Sequence, residues 1–181
     1  MRSPTVLLAF LISLSALAAE KTAGDLSYTH YWYEGDTRRP IAVDPDLIGE
    51  VQLNANRAAR SSRGVTHAPI KIIKRSILQA RTSDVVPTTP VFRDSRSKLA
   101  SMRALPGHVI VHFPQDWSSE KILDWSRQQH IAIGERLNVG ANTYLILAGA
   151  GLSSLELANR LYETGDVVAA YPNWWQQTSK R

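Results

Sequence analysis

Cysteine is absent from the 181-residue chain, and this absence excludes disulfide bonds and thiolate metal sites. Glycine-rich phosphate-binding loops are also absent, which argues against the common kinds of nucleotide-dependent chemistry. The apolar run at residues 6–14 is shorter than the roughly 20 residues that a membrane-spanning helix needs, and no later run reaches that length. Stability must therefore come from a packed apolar core rather than from cross-links.

The N-terminus has the three parts of a secretory signal peptide. A positive charge at Arg2 precedes the apolar run, and small residues follow it at Ala16 and Ala18. We therefore expect a signal peptide at residues 1–19, cleavage near Ala18 and Ala19, and a periplasmic or secreted protein without a transmembrane segment. The alternative is an uncleaved membrane anchor.

The last part of the chain predicts a strand, helix, strand, strand, helix, strand order. Branched and aromatic residues between turn signals predict four strands, at residues 108–113, 131–135, 143–147 and 166–171. A helix at residues 118–129 opens on a capping serine, and a capping box of Ser153 and Glu156 opens a second helix that ends at Gly165. We therefore predict an α+β, ferredoxin-like βαββαβ domain at residues 107–181, a fold that many unrelated functions share.

The segment at residues 84–92 repeats the pattern of residues 166–174. Both contain an aspartate, two valines, a proline and an aromatic residue at identical spacing. The repeat predicts that residues 20–92 form a β-rich, degenerate first copy of the same unit, with chance similarity as the alternative. A β-hairpin with Gly35 at its turn precedes the strands of this copy, which open at residues 47–53, and the polar, basic stretch at residues 93–106 is predicted to be a linker.

Charge is distributed unevenly along the chain. Residues 57–103 contain eleven basic and two acidic side chains, whereas residues 20–56 contain three basic and seven acidic ones. Such a cationic segment can bind an anionic envelope surface through nonspecific electrostatics. Nucleic acid is not an expected partner, because Phe92 is the only Phe, Tyr or Trp in the segment that could stack on bases. A solvated face, a linker and a surface matched to an acidic protease remain as alternatives.

No arrangement of polar residues predicts catalysis. The five histidines form no i, i+4 pair on a predicted helix, and the spacing of His108 and His112 along one strand face is too long for a metal clip. A turn explains Asp44 and Asp46 more simply than a pair of catalytic carboxylates does. We therefore expect no catalytic residue, no metal site and no cofactor.

Four segments along the chain form one ordered pattern. They are the aromatic hairpin at residues 31–35 with Ile41, Asp44 and Pro45 after it, the segment 90–94, the predicted strand at 105–113, and residues 155–175, which contain Ala158-Asn159 and Tyr171-Pro172-Asn173. In their order and spacing these segments resemble the N-terminal prodomains of subtilisin-like serine proteases. The resemblance reaches over most of the chain that follows the predicted signal peptide.

The resemblance implies a domain that helps a protease to fold and then inhibits it until the domain is degraded. In that family a catalytic domain follows the last, proline-containing strand, whereas residues 174–181 follow it here, and the aspartate, histidine and serine motifs of the catalytic domain do not occur. We therefore expect a free-standing, non-enzymatic inhibitor and folding chaperone of a separately encoded subtilisin-like protease. The alternatives are an exported, envelope-associated binding protein that uses residues 57–103, and a prodomain remnant without a partner.

The resemblance also implies where the partner is contacted. The sheet is expected to pack on two surface helices of the protease, while a tail lies extended in its substrate cleft; the tail consists of Gln177, Thr178, Ser179, Lys180 and Arg181. The basic end of the tail predicts a protease that prefers basic residues, and a frayed tail is the alternative. Trp174 and Trp175 face opposite ways in an extended strand, so one is expected in the core and the other is a candidate interface anchor.

Overall fold

Antiparallel sheets and a few helices make the described chain an α+β protein. The computed structural model describes residues 28–52, 59–60, 66–67, 69–79, 86–94 and 102–177. The predicted signal peptide lies outside these ranges. None of the helices within them is long and apolar enough to cross a membrane.

The elements follow one another in two groups. The first group is built of strands and one short helix: β1 (His30–Glu34), β2 (Thr37–Val51), β3 (Ala59–Arg60), β4 (Thr66–His67), β5 (Ile70–Lys74), α1 (Arg75–Gln79), β6 (Thr88–Arg93) and β7 (Met102–Ala104). The second group contains the longer helices: β8 (Val109–His112), α2 (Ser119–Gln128), β9 (Ile133–Arg136), β10 (Thr143–Ile146), α3 (Leu152–Glu163), β11 (Ala169–Pro172) and β12 (Trp175–Gln176).

Four strands of the second group form an antiparallel sheet in the order β11, β8, β10, β9. β8 lies between two neighbours, and its Ile110 is opposite Tyr171 of β11 and Leu145 of β10. Because β8 and β9 are both antiparallel to β10, they run parallel to each other, and α2 connects them. By the same geometry, α3 connects the parallel strands β10 and β11.

Helix α2 begins as predicted. Ser118 Oγ accepts a hydrogen bond from the backbone N–H of Lys121 (3.2 Å), which satisfies one of the free donors of the first turn. Ile122 and Trp125 lie on one side of the helix and are buried against the sheet. The indole N–H of Trp125 also donates to the carboxylate of Asp166 (3.0 Å), which ties α2 to the turn that follows α3.

Helix α3 begins one residue before the predicted capping box, and that prediction is wrong. Gly151 is the N-cap and has φ +87°, a conformation that glycine adopts without steric cost. Ser153 therefore lies inside the first turn, where its hydroxyl donates to the carbonyl of Gly149 (3.2 Å), and no side chain caps the helix. The end of the helix agrees with the prediction, because Gly165 has φ +75° just beyond it.

Both helices cover the same face of the four-stranded sheet. Their apolar side chains and those of the strands form one buried cluster, which consists of Val109, Val111, Phe113, Ile122, Trp125, Ile146, Ala158, Leu161, Val167 and Ala170. The rings of Phe113 and Trp125 meet edge to face with centroids 5.1 Å apart. The last strand, predicted at residues 166–171, is shorter than expected, because the turn after α3 takes up the first of these residues.

Five strands of the first group and β12 of the second form a six-stranded antiparallel sheet, whereas β3 and β4 pair with each other. Five strands lie in the order β1, β2, β6, β7, β12, and β5 pairs with the second half of β2. The β1–β2 hairpin turns at Gly35 (φ +59°), as predicted. A bulge interrupts β2, and there the Asp44 carboxylate accepts the backbone N–H of Asp46 (3.0 Å) and pairs with Arg93. The Asp44 carboxylate therefore holds a bulge within β2, at a place where the sequence predicts a turn.

Residues 93–106, predicted to be a linker, contribute a strand to this sheet. β7 pairs with β6 on one side and with β12 on the other, and Ala104 and Leu105 are fully buried. The polar and basic residues at 95–101 dominate the sequence pattern, whereas the apolar residues that pair and pack are confined to the end of the segment. The linker prediction is therefore wrong for residues 102–105, which form β7 and the buried position after it.

The two predicted repeats lie in different sheets. Pro90 is in β6, opposite Ile48 of β2, whereas Pro172 is in β11, opposite Val109 of β8. Each proline thus lies in a strand that pairs with an earlier strand. In the described residues, however, the first copy has the short α1 where the second has α2 and α3, and its strands join β7 and β12 in one larger sheet.

A second apolar cluster joins the two sheets. Its buried members come from strands of the first group, from the residue after β7 and from α3: Trp32, Ile41, Phe92, Leu105 and Leu155. Because α3 contributes to this cluster and to the core of its own sheet, the two halves of the chain pack on each other.

Hydrogen bonds also attach the β1–β2 hairpin to α3. The hydroxyls of Tyr31 and Tyr33 donate to Glu163 Oε1 (2.8 and 3.1 Å), and Asn159 Nδ2 donates to the carbonyl of Tyr31 (2.8 Å). The hydrogen bond to Glu163, with smaller effects of burial and of the glutamate charge, raises the pKa of Tyr31. The contact is therefore strongest while the phenol keeps its proton.

Candidate functional site

The second face of the four-stranded sheet carries apolar side chains, and neither helix of the second group packs on it. Ile110, Leu137, Leu145 and Tyr171 form a cluster of their own on this side. Leu147 follows Leu145 at strand spacing and is 49 % exposed. Ile110, Leu137 and Leu145 are themselves buried, with 3, 9 and 7 % of their surface exposed, whereas Tyr171 is partly buried. We call the side of the sheet that carries Ile110, Leu137, Leu145, Leu147 and Tyr171 the open face.

A chain of hydrogen bonds runs across the open face. The hydroxyl of Thr143 donates to the carbonyl of Val139, so it accepts from Nδ1 of His112 (2.7 Å). Nε2 of the His112 ring shares a hydrogen bond with the hydroxyl of Tyr171, and the tautomer of the ring decides which of the two groups donates. These bonds fix the orientation of both rings, and the open face thus combines an apolar surface with oriented polar groups.

His108 lies on the same side of β8, at the start of the strand. It adopts φ +69°, and its Nδ1 accepts the backbone N–H of Ala148 (3.3 Å). Burial lowers the pKa of His108, because it removes water from the charged form of the ring. Both histidines are thus engaged in bonds within the fold. Across the described ranges, no group of three or more His, Cys, Asp or Glu side chains is placed to hold a metal ion.

The two candidate anchor tryptophans pack in different clusters. The ring of Trp174 lies against those of Trp32 and Phe92, with centroid distances of 5.9 and 5.5 Å. Trp175 packs against a cluster whose buried members are Val51, Ile70 and Ala104. The opposite directions of the two rings agree with an extended chain. Both rings are partly buried, so both contribute to the packing of the six-stranded sheet.

Arg103 of β7 stacks on this aromatic group. Its guanidinium carbon lies 5.0 Å from the ring centroid of Trp32 and 5.8 Å from that of Trp174, and it donates to the carboxylate of Asp94 (2.9 Å). A cavity of about 390 Å³ opens beside the stack, and its rim carries a second ion pair between Glu34 and Arg39. The charges around the cavity are therefore paired with one another.

The cationic segment at residues 57–103 is divided between structural and exposed positions. Arg93 and Arg103 pair with carboxylates inside the fold, whereas Lys71 and Lys74 are exposed on β5. Most of the other basic side chains of the segment lie outside the described residues. Part of the positive charge that the sequence shows therefore stabilises the six-stranded sheet.

The predicted protease-binding tail starts as a continuation of β12. Trp175 is opposite Ala104, and the backbone N–H of Gln177 donates to the carbonyl of Met102 (3.0 Å). The rest of the tail, which consists of Thr178, Ser179, Lys180 and Arg181, lies outside the described residues. The tail therefore begins beside β7, at the edge of the six-stranded sheet.

The sequence places His108 and His112 on one strand face, but it does not reveal the partners of His112. Thr143 and Tyr171 reach this ring because the register sets Thr143 opposite His112 and Tyr171 opposite Ile110. Polar residues at matching positions on the three predicted strands could have indicated this network.

Comparison with models of known protein families, with curated proteins and with solved structures gives no match for the chain.

Proposed function

We propose that the protein is an exported, prodomain-like inhibitor and folding chaperone of a separately encoded subtilisin-like serine protease. The observation that carries the proposal is the open face, where the exposed Leu147 and the oriented His112–Tyr171 pair lie over a buried apolar cluster and no helix of the second group covers them. A sheet is stable when both apolar faces are buried against another layer. The cluster of Ile110, Leu137 and Leu145 is already buried, so a partner would cover the part of the open face around Leu147 that remains exposed.

The connectivity of residues 107–181 supports the proposal. Each of the two long helices connects parallel strands that have one antiparallel strand between them, which is the split β-α-β arrangement. The resemblance to prodomains implies such a ferredoxin-like unit, with helices on one face and the protease on the other. We propose that α2 and α3 stay on the far side while the open face docks on the protease.

The size of the open face favours a second contact region. The sheet has four strands of four residues each, and strands about 4.8 Å apart with a rise of about 3.3 Å per residue give a face of roughly 19 by 13 Å, or about 250 Å². Stable protein complexes bury about 800 Å² on each partner. The open face alone is too small, so we propose that the tail, from Gln177 to Arg181, adds contact area in the substrate cleft.

One surface can serve inhibition and folding together. A partner that binds the folded protease and not its unfolded chain shifts the equilibrium toward the folded protease. The same partner blocks substrate if its tail occupies the cleft. We therefore expect the protein to inhibit the protease and to assist its refolding over the same range of protein concentrations.

An inhibition titration tests the proposal. The protein, from Glu20 onward, is added to a subtilisin-like protease, ideally one encoded by a neighbouring gene, and peptide hydrolysis is followed. We expect saturable inhibition at a stoichiometric ratio. Leu147→Glu should weaken it by about tenfold or more, because a charge would enter an apolar contact. Leu123→Glu is the matched control: Leu123 is 46 % exposed, against 49 % for Leu147, but lies on the outer side of α2.

Three outcomes would contradict the proposal or part of it. A protein that neither inhibits its cognate protease nor assists its refolding has another function, and binding to anionic vesicles would then favour the envelope-associated alternative. An equal loss in Leu147→Glu and Leu123→Glu would remove the open face from the interface. Deletion of residues 178–181 should weaken inhibition, and unchanged potency would show that the tail makes no contact.

A further inference from the structure

A small cavity lies where the two sheets meet. β1 is an edge strand of the six-stranded sheet, β11 is an edge strand of the four-stranded sheet, and the cavity opens between the two. Its volume is about 70 Å³. Four aromatic residues and one carboxylate line it: Trp32, Tyr33, Tyr162, Tyr171 and Glu34. We call this cavity the seam pocket.

The tyrosines of the seam pocket are held by bonds to their hydroxyls. Tyr33 donates to Glu163 Oε1 (3.1 Å), and Tyr162 donates to Asp36 Oδ1 (2.8 Å). The rings of Tyr33 and Tyr162 also pack on each other with centroids 4.3 Å apart. The hydroxyl of Tyr171 is engaged on the open face. The pocket therefore offers a ligand oriented aromatic rings rather than free hydroxyl groups.

Negative charge borders the seam pocket. Glu34 lines it and is paired with Arg39. Asp36 and Glu163 accept hydrogen bonds from tyrosine hydroxyls, but neither forms an ion pair within the described residues. The hydrogen bond to Asp36 raises the pKa of Tyr162, so this phenol stays neutral at physiological pH. Such surroundings repel anions and attract cations.

A cation of the chain itself already occupies a tyrosine ring beside the pocket. The guanidinium carbon of Arg38 lies 3.6 Å from the ring centroid of Tyr31, and the hydroxyl of Tyr31 shares Glu163 with that of Tyr33. A cation over such a ring is attracted by the ring quadrupole, and more strongly where water is excluded. Within the described residues, no cation lies over Tyr33 or Tyr162. These rings are therefore available to a cation from outside the chain.

We propose that the seam pocket binds the ammonium group of a lysine side chain that the protease presents beside the open face. This inference rests on the proposed function. Tyr171 belongs both to the open face and to the lining of the pocket, so a partner on the open face comes within reach of the pocket. The small volume suits the compact ammonium group of lysine better than the planar guanidinium of arginine. The pocket thereby adds a charged contact to an otherwise apolar docking surface.

A titration with a capped lysine tests the pocket without the protease. N-acetyl-lysine methylamide is added to the unsubstituted protein at millimolar concentrations, and nuclear magnetic resonance follows the amides of Gly35 and Ala170, which line the pocket. The matched control is N-acetyl-norleucine methylamide, which lacks the ammonium group. We expect saturable shifts with the lysine compound alone. Shifts of similar size with the norleucine compound, or none with the lysine compound, would overturn the inference.

Substitution of Tyr162 separates the ring from its hydroxyl. Tyr162→Leu removes one ring of the pocket and should weaken both lysine binding and protease inhibition by about fivefold or more. Tyr162→Phe keeps the ring and should retain most of both. Tyr33→Leu and Tyr33→Phe are a second pair in case thermal unfolding shows that Tyr162→Leu is not folded. Equal losses in the leucine and phenylalanine variants of both pairs would overturn the role of the rings.

Acetylation of the protease tests the source of the lysine, because it removes the charge of lysine side chains. It should weaken inhibition by the unsubstituted protein but not weaken inhibition by Tyr162→Leu any further, since the contact is already lost there. Unchanged inhibition after acetylation, or an equal further loss in Tyr162→Leu, would overturn the inference and leave the proposed function standing. Absence of any inhibition by the unsubstituted protein would overturn the proposed function and the protease as the source of the lysine, whereas saturable lysine shifts would still establish the pocket.

Discussion

Leu155 provides a test of whether the two sheets unfold as one cooperative unit. It belongs to α3, but its side chain is 2 % exposed and packs in the cluster that joins the sheets, together with Trp32, Ile41, Phe92 and Leu105. Leu155→Ala removes buried methyl groups and leaves a cavity, a change that costs about 2–5 kcal/mol in protein cores. Large rings from separate strands surround the site and limit its collapse. We therefore expect a loss of about 3–4 kcal/mol in the free energy of unfolding.

A loss of this size is easy to measure. Domains of this kind have free energies of unfolding of about 5–15 kcal/mol, so Leu155→Ala removes a large share of the stability. For a chain of this length, 1 kcal/mol lowers the melting temperature by about 2–4 °C, which gives an expected shift of about 6–16 °C. Denaturant unfolding gives the free energy, and amide hydrogen exchange reports separately on strands β2 and β10.

The two strands should lose protection together in Leu155→Ala, because the shared cluster couples their sheets. The control is Leu123→Ala, at a position 46 % exposed on α2, where a change within about 0.5 kcal/mol is expected. Loss of protection confined to one sheet would refute the cooperative coupling. A destabilisation below about 1 kcal/mol would refute the claim that Leu155 fills a rigid core.

Three further predictions concern charged and titrating groups. Because the pKa of Tyr31 is raised, the contact of its hydroxyl with Glu163 stabilises the fold fully below the ordinary pKa of 10.0, and this stabilisation is lost as pH rises through the raised pKa. Glu163→Gln should lower the pKa of Tyr31 in a spectrophotometric titration. An unchanged titration would contradict the contact. Because the pKa of His108 is lowered, the buried neutral ring stabilises the fold fully above the ordinary pKa of 6.5, and this stabilisation is lost as pH falls through the lowered pKa. Unfolding midpoints measured from above pH 6.5 to below the lowered pKa test this prediction. Asp44→Ala leaves the guanidinium of Arg93, whose side chain is 18 % exposed, without its partner, and this should lower the free energy of unfolding by about 2–4 kcal/mol in a denaturant titration. Adding Arg93→Met should restore part of that free energy, because the unpaired charge is removed.

The elements that the sequence predicts well have local signals. The start of α2 follows from a capping serine at residue 118 and from the helical spacing of Ile122 and Trp125. The hairpin turn and the end of α3 follow from Gly35 and Gly165, since positive φ favours glycine at both places. In each case the residues that determine the structure lie close together in the sequence, so the local sequence is sufficient for the prediction.

The elements that the sequence misses depend on partners that are distant along the chain. β7 lies in a polar and basic stretch, and it is a strand because β6 and β12 supply hydrogen bonds on both sides. The contacts of His112 on the open face depend on the register of two neighbouring strands. Ser153 is not the N-cap, because α3 begins at Leu152 and Gly151, with φ +87°, takes the N-cap position. No local pattern contains this information.

The apolar cluster that the six-stranded sheet shares with α3 imposes an order on folding. Strands β1 to β6 are synthesised first, yet the apolar cluster on their sheet is complete only when α3 has formed, and the bonded pair Tyr31 and Glu163 is 132 residues apart in sequence. Contacts between residues so far apart in sequence form slowly, and an incompletely folded chain that exposes apolar surface and an unpaired strand edge is prone to aggregate. The first half of the chain also carries the eleven basic and two acidic residues at 57–103, and we expect repulsion between these segments to slow the association of incompletely folded chains.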